Sequence, residues 1–326
     1  MLVLTGADVE AVLDRDALAD AIAAALSQAS AGRSSVPPRV AAEAARGGLL
    51  AAMPGALPDL GALGAKLVSV FPANTDRPTH QAVVVLFDPH TGTPTALVDG
   101  ALLTAARTAA ASAVATRLLA RDNSAVMAIL GTGVQARAHA LAVPRVCGAL
   151  REIRIAGRDV ERSETAAREL SDELERPVTA VATWAEALAG ADIVCATTHS
   201  PDPVVRREWL SAGTHVNSVG FNTAGREVDA QTVLDAMVVV ESRASALAPI
   251  PAGANELLWP IRDGLMEATH IHAELGELVA GTRPARTSAQ QITLYKSVGV
   301  AVEDLAAAML VVITARARGI GTIVDL

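Results

Sequence analysis

A chain of 326 residues, 51% hydrophobic and 19% charged, has the composition of a well-cored globular protein and the length for one large or two ordinary domains. A net charge of −8 leaves no basic footprint for nucleic acid, and no run of about 20 apolar residues is free of charge, so no nucleic acid and no membrane are expected as partners. Two cysteines, Cys147 and Cys195, without a CxxC, argue against a disulfide framework or a structural zinc.

Residues 7–31 read as one amphipathic helix, with Val9, Val12, Leu13, Leu18, Ile22 and Leu26 near helical spacing. SSVPPRV follows as a proline-fixed extended segment. Short strands at 49–53, 65–71 and 82–87, with a turn at Thr91-Gly92 and a returning strand, predict an antiparallel sheet. Residues 101–120 read as a long helix leading into the next domain. From Ser124 strands alternate with helices, at 126–130, 152–156, 178–182, 192–197, 215–220 and 237–242, which predicts a doubly wound parallel sheet. The apolar tail from about 299 to 318 reads as a helix that returns to the first domain. The expected class is α/β, a Rossmann-type domain over 119–299 and an α+β domain of residues 1–118 together with 300–326. Aromatics are only 2%, so Ala, Val and Leu must build the core. The N-terminus lacks the basic and apolar regions of a secretory signal, and the expected location is cytoplasmic.

VMAILGTGVQARAHA places Gly131-x-Gly133-x-x-Ala136 between a strand and a helix. Gly131 makes the tight turn, Gly133 lets backbone approach a pyrophosphate, and Ala136 permits close helix–strand packing. The helix N-terminus at Val134 and Gln135 offers free N–H groups to the anion. This predicts a bound dinucleotide. An acidic residue at the end of the second strand would hold the 2′-hydroxyl of NAD. IRIAGRD puts Gly157 there and Arg158 next, and a guanidinium suits a 2′-phosphate. The expectation is therefore NADPH, with Asp159 keeping NADH open. After the fourth strand, Thr197 to His199 and Ser200 lie at the carboxyl end, where ligands sit.

Of 27 basic residues only two are lysines, Lys66 and Lys296. A chain that uses arginine elsewhere and lysine here points to a need for a compact, titratable amine. Arg39 in VPPRV, Lys66 in GAKLVSVFP and Arg107 in an Ala-rich helix stand in apolar or turn contexts. Buried charges need partners, and three converging cations would clamp a carboxylate. His80 reads as a solvated turn histidine. Trp184, Trp209, Trp259 and Cys195 read as packing.

The stretches PPRV (37–40), MPG (53–55), GAKLVSVFPAN (64–74), LFDPHTGTPTALVDG (86–100), LTAARTAAAS (103–112), ILGTGVQARAH (129–139), GTHVNSVG (213–220) and ITLYKSVGVAVEDLAAA (292–308) run along almost the whole chain. In them the chain resembles the ornithine cyclodeaminase and mu-crystallin family, which also holds archaeal alanine dehydrogenases and ketimine reductases. The resemblance implies that Arg39, Lys66 and Arg107 hold the substrate α-carboxylate, with Lys66 near the reacting carbon. It places Thr108 beside the cofactor phosphates or the substrate, and Lys296, Ser297 and Gly299 at the nicotinamide end. It also implies a homodimer joined through the sheets of the first domains.

Two positions depart from the cyclodeaminase pattern. The acid that follows the fifth Rossmann strand in cyclodeaminases corresponds to Asn222, and an amide neither takes nor gives a proton at neutral pH. The glutamate two residues before the Met of MP corresponds to Ala51. Both losses disfavour a diamine substrate. A preformed cyclic imine needs only a hydride on carbon and a proton on nitrogen, a task compatible with Asn222. The expected activity is NAD(P)H-dependent reduction of Δ1-pyrroline-2-carboxylate or Δ1-piperideine-2-carboxylate, with Lys66 as proton donor. The alternatives are a cyclodeaminase that recycles NAD, a linear amino-acid dehydrogenase and, last, a non-enzymatic binding protein.

Overall fold

The computed structural model describes residues 1–325, the side chain of Arg46 apart. The chain divides into two compact units, Met1–Arg107 with Gly299 onward, and Thr108–Val298. The first division falls inside a helix, whereas the sequence had suggested the end of that helix, at 118/119.

The first unit opens with β1 (Leu2–Leu4), α1 (Gly6–Val12) and α2 (Arg15–Ser30). The single helix expected over 7–31 is thus two. Asp14 breaks it: its carboxylate accepts from the backbone N–H groups of Asp16 and Ala17 and starts α2 as an N-cap. Then come β2 (Val40–Glu43), β3 (Leu49–Leu57), β4 (Ala62–Val70), β5 (His80–Phe87), β6 (Pro94–Asp99) and α3 (Gly100–Leu119), the helix that carries the division between the units. Strands β2 to β6 form an antiparallel meander, as expected. The sheet is mixed, however, because β1 joins β6 in parallel. The long connection between them allows this, and a three-residue strand carries too little pattern to be seen in sequence.

The second unit alternates strictly. Its elements are β7 (Val126–Leu130), α4 (Val134–Ala142), β8 (Glu152–Ala156), α5 (Val160–Leu174), β9 (Val178–Ala180), α6 (Trp184–Leu188), β10 (Ile193–Ala196), β11 (His215–Ser218), α7 (Ala230–Asp235), β12 (Met237–Val240), α8 (Arg243–Ala246), α9 (Asn255–Arg262), β13 (Ile271–Glu274), α10 (Leu275–Val279) and β14 (Thr293–Lys296). All eight strands are parallel, in the order β13-β12-β14-β11-β10-β7-β8-β9. The order reverses between β7 and β10, the switch point where such sheets bind ligands at their carboxyl ends. Strands β10, β11 and β12 are buried on both faces, which accounts for their apolar runs. Strands β13 and β14 were not anticipated. At four residues each they are too short for a reliable period, β13 alternating over only two pairs and β14 buried throughout, and β14 enters the sheet between β11 and β12.

The chain then returns to the first unit as α11 (Ala301–Arg318) and β15 (Thr322–Ile323), the latter antiparallel to β1. Helix α11 packs on α2, β3 and β4. Gly55 and Gly64, paired in register, make this close approach possible. A Cβ on Gly55 would lie 3.0 Å from the Ala301 Cβ, and one on Gly64 would lie 2.3 Å from the Val85 carbonyl oxygen and 3.0 Å from Leu305. No helix among the described residues is long and apolar enough to cross a membrane.

Candidate functional site

In the first unit, Lys66 lies on the buried face of β4, opposite Met53 of β3 and Val84 of β5. It is only 2% exposed. Its Nζ is 2.9 Å from each carboxylate oxygen of Asp304 on α11. Arg107, on α3, is 5% exposed. Its Nε donates to Asp304 Oδ1 at 2.9 Å and its Nη1 to Glu303 Oε2 at 2.6 Å. Arg39, half-buried ahead of β2, donates from Nη2 to the Gly299 carbonyl oxygen at 2.9 Å. Gly299 has φ +71°, and a Cβ there would lie 2.8 Å from both terminal nitrogens of Arg107. Only glycine fits that position. The three cations singled out in the sequence therefore gather around the start of α11.

These five side chains, three cations and two carboxylates, sum to one positive charge when Lys66 is protonated. Burial and the neighbouring Arg107 charge push the Lys66 ammonium from 10.5 down to about 8, against the pull of Asp304, with Arg39 lowering it further. Two guanidiniums around a buried amine pushed down to about 8 can bind a carboxylate and donate one proton. Glu303 and Asp304 were not recognised in the sequence. The signal was there: two adjacent acids in an otherwise Ala- and Leu-rich helix need buried cations.

In the second unit the Gly131-x-Gly133 turn joins β7 to α4. Gly131 has φ +116°, and a Cβ there would lie 2.8 Å from Thr197 Oγ1, so the turn requires glycine. Thr197, directly after β10, is itself fixed: its N–H and hydroxyl both donate to the Leu130 carbonyl oxygen, at 2.9 and 2.8 Å. Gly133 is the N-cap of α4 and provides no side-chain cap, and a Cβ there would meet nothing within 4 Å. Val134, the first residue of α4, is 72% exposed. Gln135 Oε1 is buried without a hydrogen-bond partner among the described residues. Ala136 is buried in the core cluster that holds Ile129 of β7 and Ile153 of β8. Uncapped helix N–H groups beside an open glycine turn at a switch point fit a dinucleotide pyrophosphate.

At the tip of β8, a Cβ on Gly157 would come within 2.8 Å of Ser163 Oγ and 2.9 Å of Thr132, so no acid fits there. Arg158 is exposed, and Asp159 is engaged as the N-cap of α5, accepting from the Arg162 N–H. Thr108 is buried in α3.

The remaining expected residues lie elsewhere in the second unit, Lys296 and Ser297 buried and Asn222 partly exposed. Lys296 is 1% exposed, and its Nζ donates to Ser218 Oγ at 3.1 Å and to the Gly220 carbonyl oxygen at 2.7 Å, with Glu256 Oε1 at 3.3 Å. Ser297 donates its hydroxyl to Glu241. Asn222 donates from Nδ2 to the His199 carbonyl oxygen at 3.0 Å and accepts from the Ala224 N–H at 2.8 Å. Its amide shapes the 220–225 loop, which Asn255 braces by donating to the carbonyls of Asn222, Thr223 and Gly225. Buried Glu227, missed in the sequence, ties strand ends together by accepting from Thr198, Ser218 and the Gly220 N–H. The His199 side chain is exposed, and His80 is an exposed residue at the start of β5 rather than in a turn. No group of three or more metal-ligating side chains is assembled among the described residues.

A Rossmann unit with an open phosphate cradle, and a unit built around a buried cation cluster, define the class: a nicotinamide-dependent oxidoreductase. The chain belongs to the ornithine cyclodeaminase/mu-crystallin family, whose profile matches residues 1–319. It is 38% identical over 273 residues to the Δ1-pyrroline-2-carboxylate reductase of Bacillus cereus, covering 82% of each chain. It is 33% identical over 324 residues to the alanine dehydrogenase of Archaeoglobus fulgidus, covering 98% of this chain and 97% of that one. The structure of the Thermococcus litoralis Δ1-pyrroline-2-carboxylate reductase in complex with NADH and L-proline superposes with a TM-score of 0.95 at 36% identity, covering 99% of this chain and 100% of that one.

Proposed function

We propose that this protein reduces cyclic ketimines bearing an α-carboxylate, Δ1-pyrroline-2-carboxylate or Δ1-piperideine-2-carboxylate, to L-proline or L-pipecolate. The observation that carries the reading is the Arg39–Lys66–Arg107 cluster, with buried Lys66 and Arg107 joined on Asp304, half-buried Arg39 beside them, and one titratable amine among them. The identity to pyrroline-2-carboxylate reductases supports it.

Gly131, Gly133 and the first turn of α4 would hold a nicotinamide dinucleotide, which would supply the hydride when bound. Arg39 and Arg107 bind the substrate carboxylate with Lys66, and Lys66 passes its proton to the imine nitrogen. Positioning and charge complementarity by these groups account for most of the acceleration. Asn222 acts by shaping its loop. It offers no acid to manage ammonia release, and buried Ala51 offers no carboxylate to a second ammonium. Arg158 takes the 2′-phosphate of NADPH, since Gly157 excludes an acid and Asp159 is occupied.

The active form is a cytoplasmic homodimer. The face of the first sheet turned away from α11 carries Val40, Leu50, Leu67 and Val83, at 66%, 49%, 37% and 38% exposure. Val40, Leu67 and Val83 lie on one face through the pairs Val40–Ala52, Ala52–Leu67 and Leu67–Val83. A contiguous exposed apolar face favours self-association. A similar structure is described as an archaeal alanine dehydrogenase dimer with bound NAD.

The test is consumption of NADPH and NADH with each cyclic imine, alongside ammonia release from ornithine and NAD⁺ reduction with linear amino acids. Rapid imine-dependent oxidation of NADPH is expected. Ammonia release without net cofactor change, or oxidation of alanine alone, would replace the reading.

A further inference from the structure

Lys66 has one charged partner of opposite sign among the described residues. Facing it are Arg107 from α3, Arg39 from the segment ahead of β2, and Glu303 and Asp304 from α11, while β3 and β5 offer only Met53 and Val84 at the paired positions. Glu303 is turned to Arg107 and to the cap of α11, where its Oε2 accepts from the Val300 N–H at 3.3 Å. Asp304 alone touches Lys66. Its Oδ1 is shared between Lys66 Nζ and Arg107 Nε at 2.9 Å each, and its Oδ2 lies 2.9 Å from Lys66 Nζ. Its place in the first turn of α11 also favours a negative charge there.

We propose that Asp304 is a positioning residue for ketimine reduction: its carboxylate holds Lys66 as an ammonium and fixes it beside Arg107, so that a proton is available to the imine nitrogen. The inference rests on the reading of Lys66 as proton donor. In the step, the C=N double bond gains the hydride at carbon and the Lys66 proton at nitrogen. Lys66 is left neutral and recovers a proton from water. Burial, Arg107 and Arg39 all oppose the charged amine, and only Asp304 opposes them in turn. Without that carboxylate, Lys66 deprotonates at a lower pH, and the alkaline limit of the reaction moves with it.

The test combines two readouts on the full chain. One is the pH profile of kcat/KM for the wild type, Asp304→Asn and Asp304→Glu. The other is an NMR titration of protein isotope-labelled at lysine Cε. With two lysines in the chain, two methylene signals appear, and Lys66→Arg assigns them. The wild type should lose kcat/KM above pH of about 8, in step with the Lys66 signal. Asp304→Asn should move both downward by about one pH unit or more, a tenfold change in the protonation equilibrium, and regain activity at lower pH. Asp304→Glu should keep the wild-type limit. A uniform loss of kcat/KM at every pH, with the Lys66 signal unmoved, overturns the proposal and leaves Asp304 a packing role. If the Asn variant does not fold, the Glu variant decides: a limit retained with the charge supports the proposal, and a limit lost despite the charge overturns it. Wild-type turnover in Lys66→Met would instead overturn the underlying reading of Lys66.

Discussion

The two lysines are both buried, yet their surroundings differ in sign. Around Lys66, Asp304 is shared with Arg107, which also pairs with Glu303, while Arg39 adds a further positive charge nearby, and the ammonium is pushed down to about 8. Around Lys296 one cation meets Glu256, with Ser218 and the Gly220 carbonyl as further acceptors and Glu227 sharing Ser218. In the first cluster two guanidiniums press on a buried ammonium, a setting that suits an incoming carboxylate. The second is closed on itself. A buried lysine becomes reactive through local charge imbalance, not through burial alone.

The contrast can be broken by exchanging each ammonium for an apolar side chain of similar length. Lys66→Met should lower kcat/KM by about a thousandfold or more, in line with the loss of a general acid that also orients substrate. Cofactor affinity, measured by fluorescence titration, should stay within about twofold. Lys296→Met should act mainly on stability. It strands a buried carboxylate, at a cost of about 3–5 kcal/mol, visible as a lower Tm in thermal unfolding. Its effect on turnover should be far smaller than that of Lys66→Met, and a loss as large would erase the contrast.

The pH dependence of stability sharpens the same comparison. Folded Lys66 releases its proton near 8, whereas the unfolded chain holds it to about 10.5. Between these values the unfolded state binds more protons, so stability rises with pH. Below about 8 the full penalty of burying the charge is present. Relative to Lys66→Met, the wild type should therefore gain at most about 3 kcal/mol from pH 8 to 10.5 in denaturant titrations. In the second unit, Gly131→Ala forces a side chain into φ +116° and against Thr197, and should weaken cofactor binding by about 1–3 kcal/mol in a direct titration. The smallest effect is expected for Arg158→Ala. NADPH should lose about tenfold in KM, or 1.4 kcal/mol, with NADH nearly unchanged. Equal effects on both cofactors would remove the 2′-phosphate role.

Much of this was legible in the sequence because it lies in local pattern. The glycine turn before α4 and the strand–helix rhythm are read over a few residues each, and Arg107 betrays itself as a charge in an Ala-rich helix. What stayed hidden depends on distant partners. Asp304 meets Lys66 across 238 positions of sequence, so its role appears only when α11 is seen to lie on β4. Lys296 shows a second limit of pattern. Its rarity and family motif pointed to the nicotinamide end, and neither announces the partners it meets across the fold, Glu256, Ser218 and the Gly220 carbonyl. The short strands β13 and β14 were missed because four residues carry no reliable period.

The most direct test of the account is reduction of Δ1-pyrroline-2-carboxylate by NADPH with wild type and Lys66→Met side by side, the product resolved by chiral chromatography. The account predicts rapid formation of L-proline by the wild type and near-complete loss in the variant, with cofactor binding intact. Equal rates in the two proteins, or no imine-dependent turnover in the wild type, would contradict it.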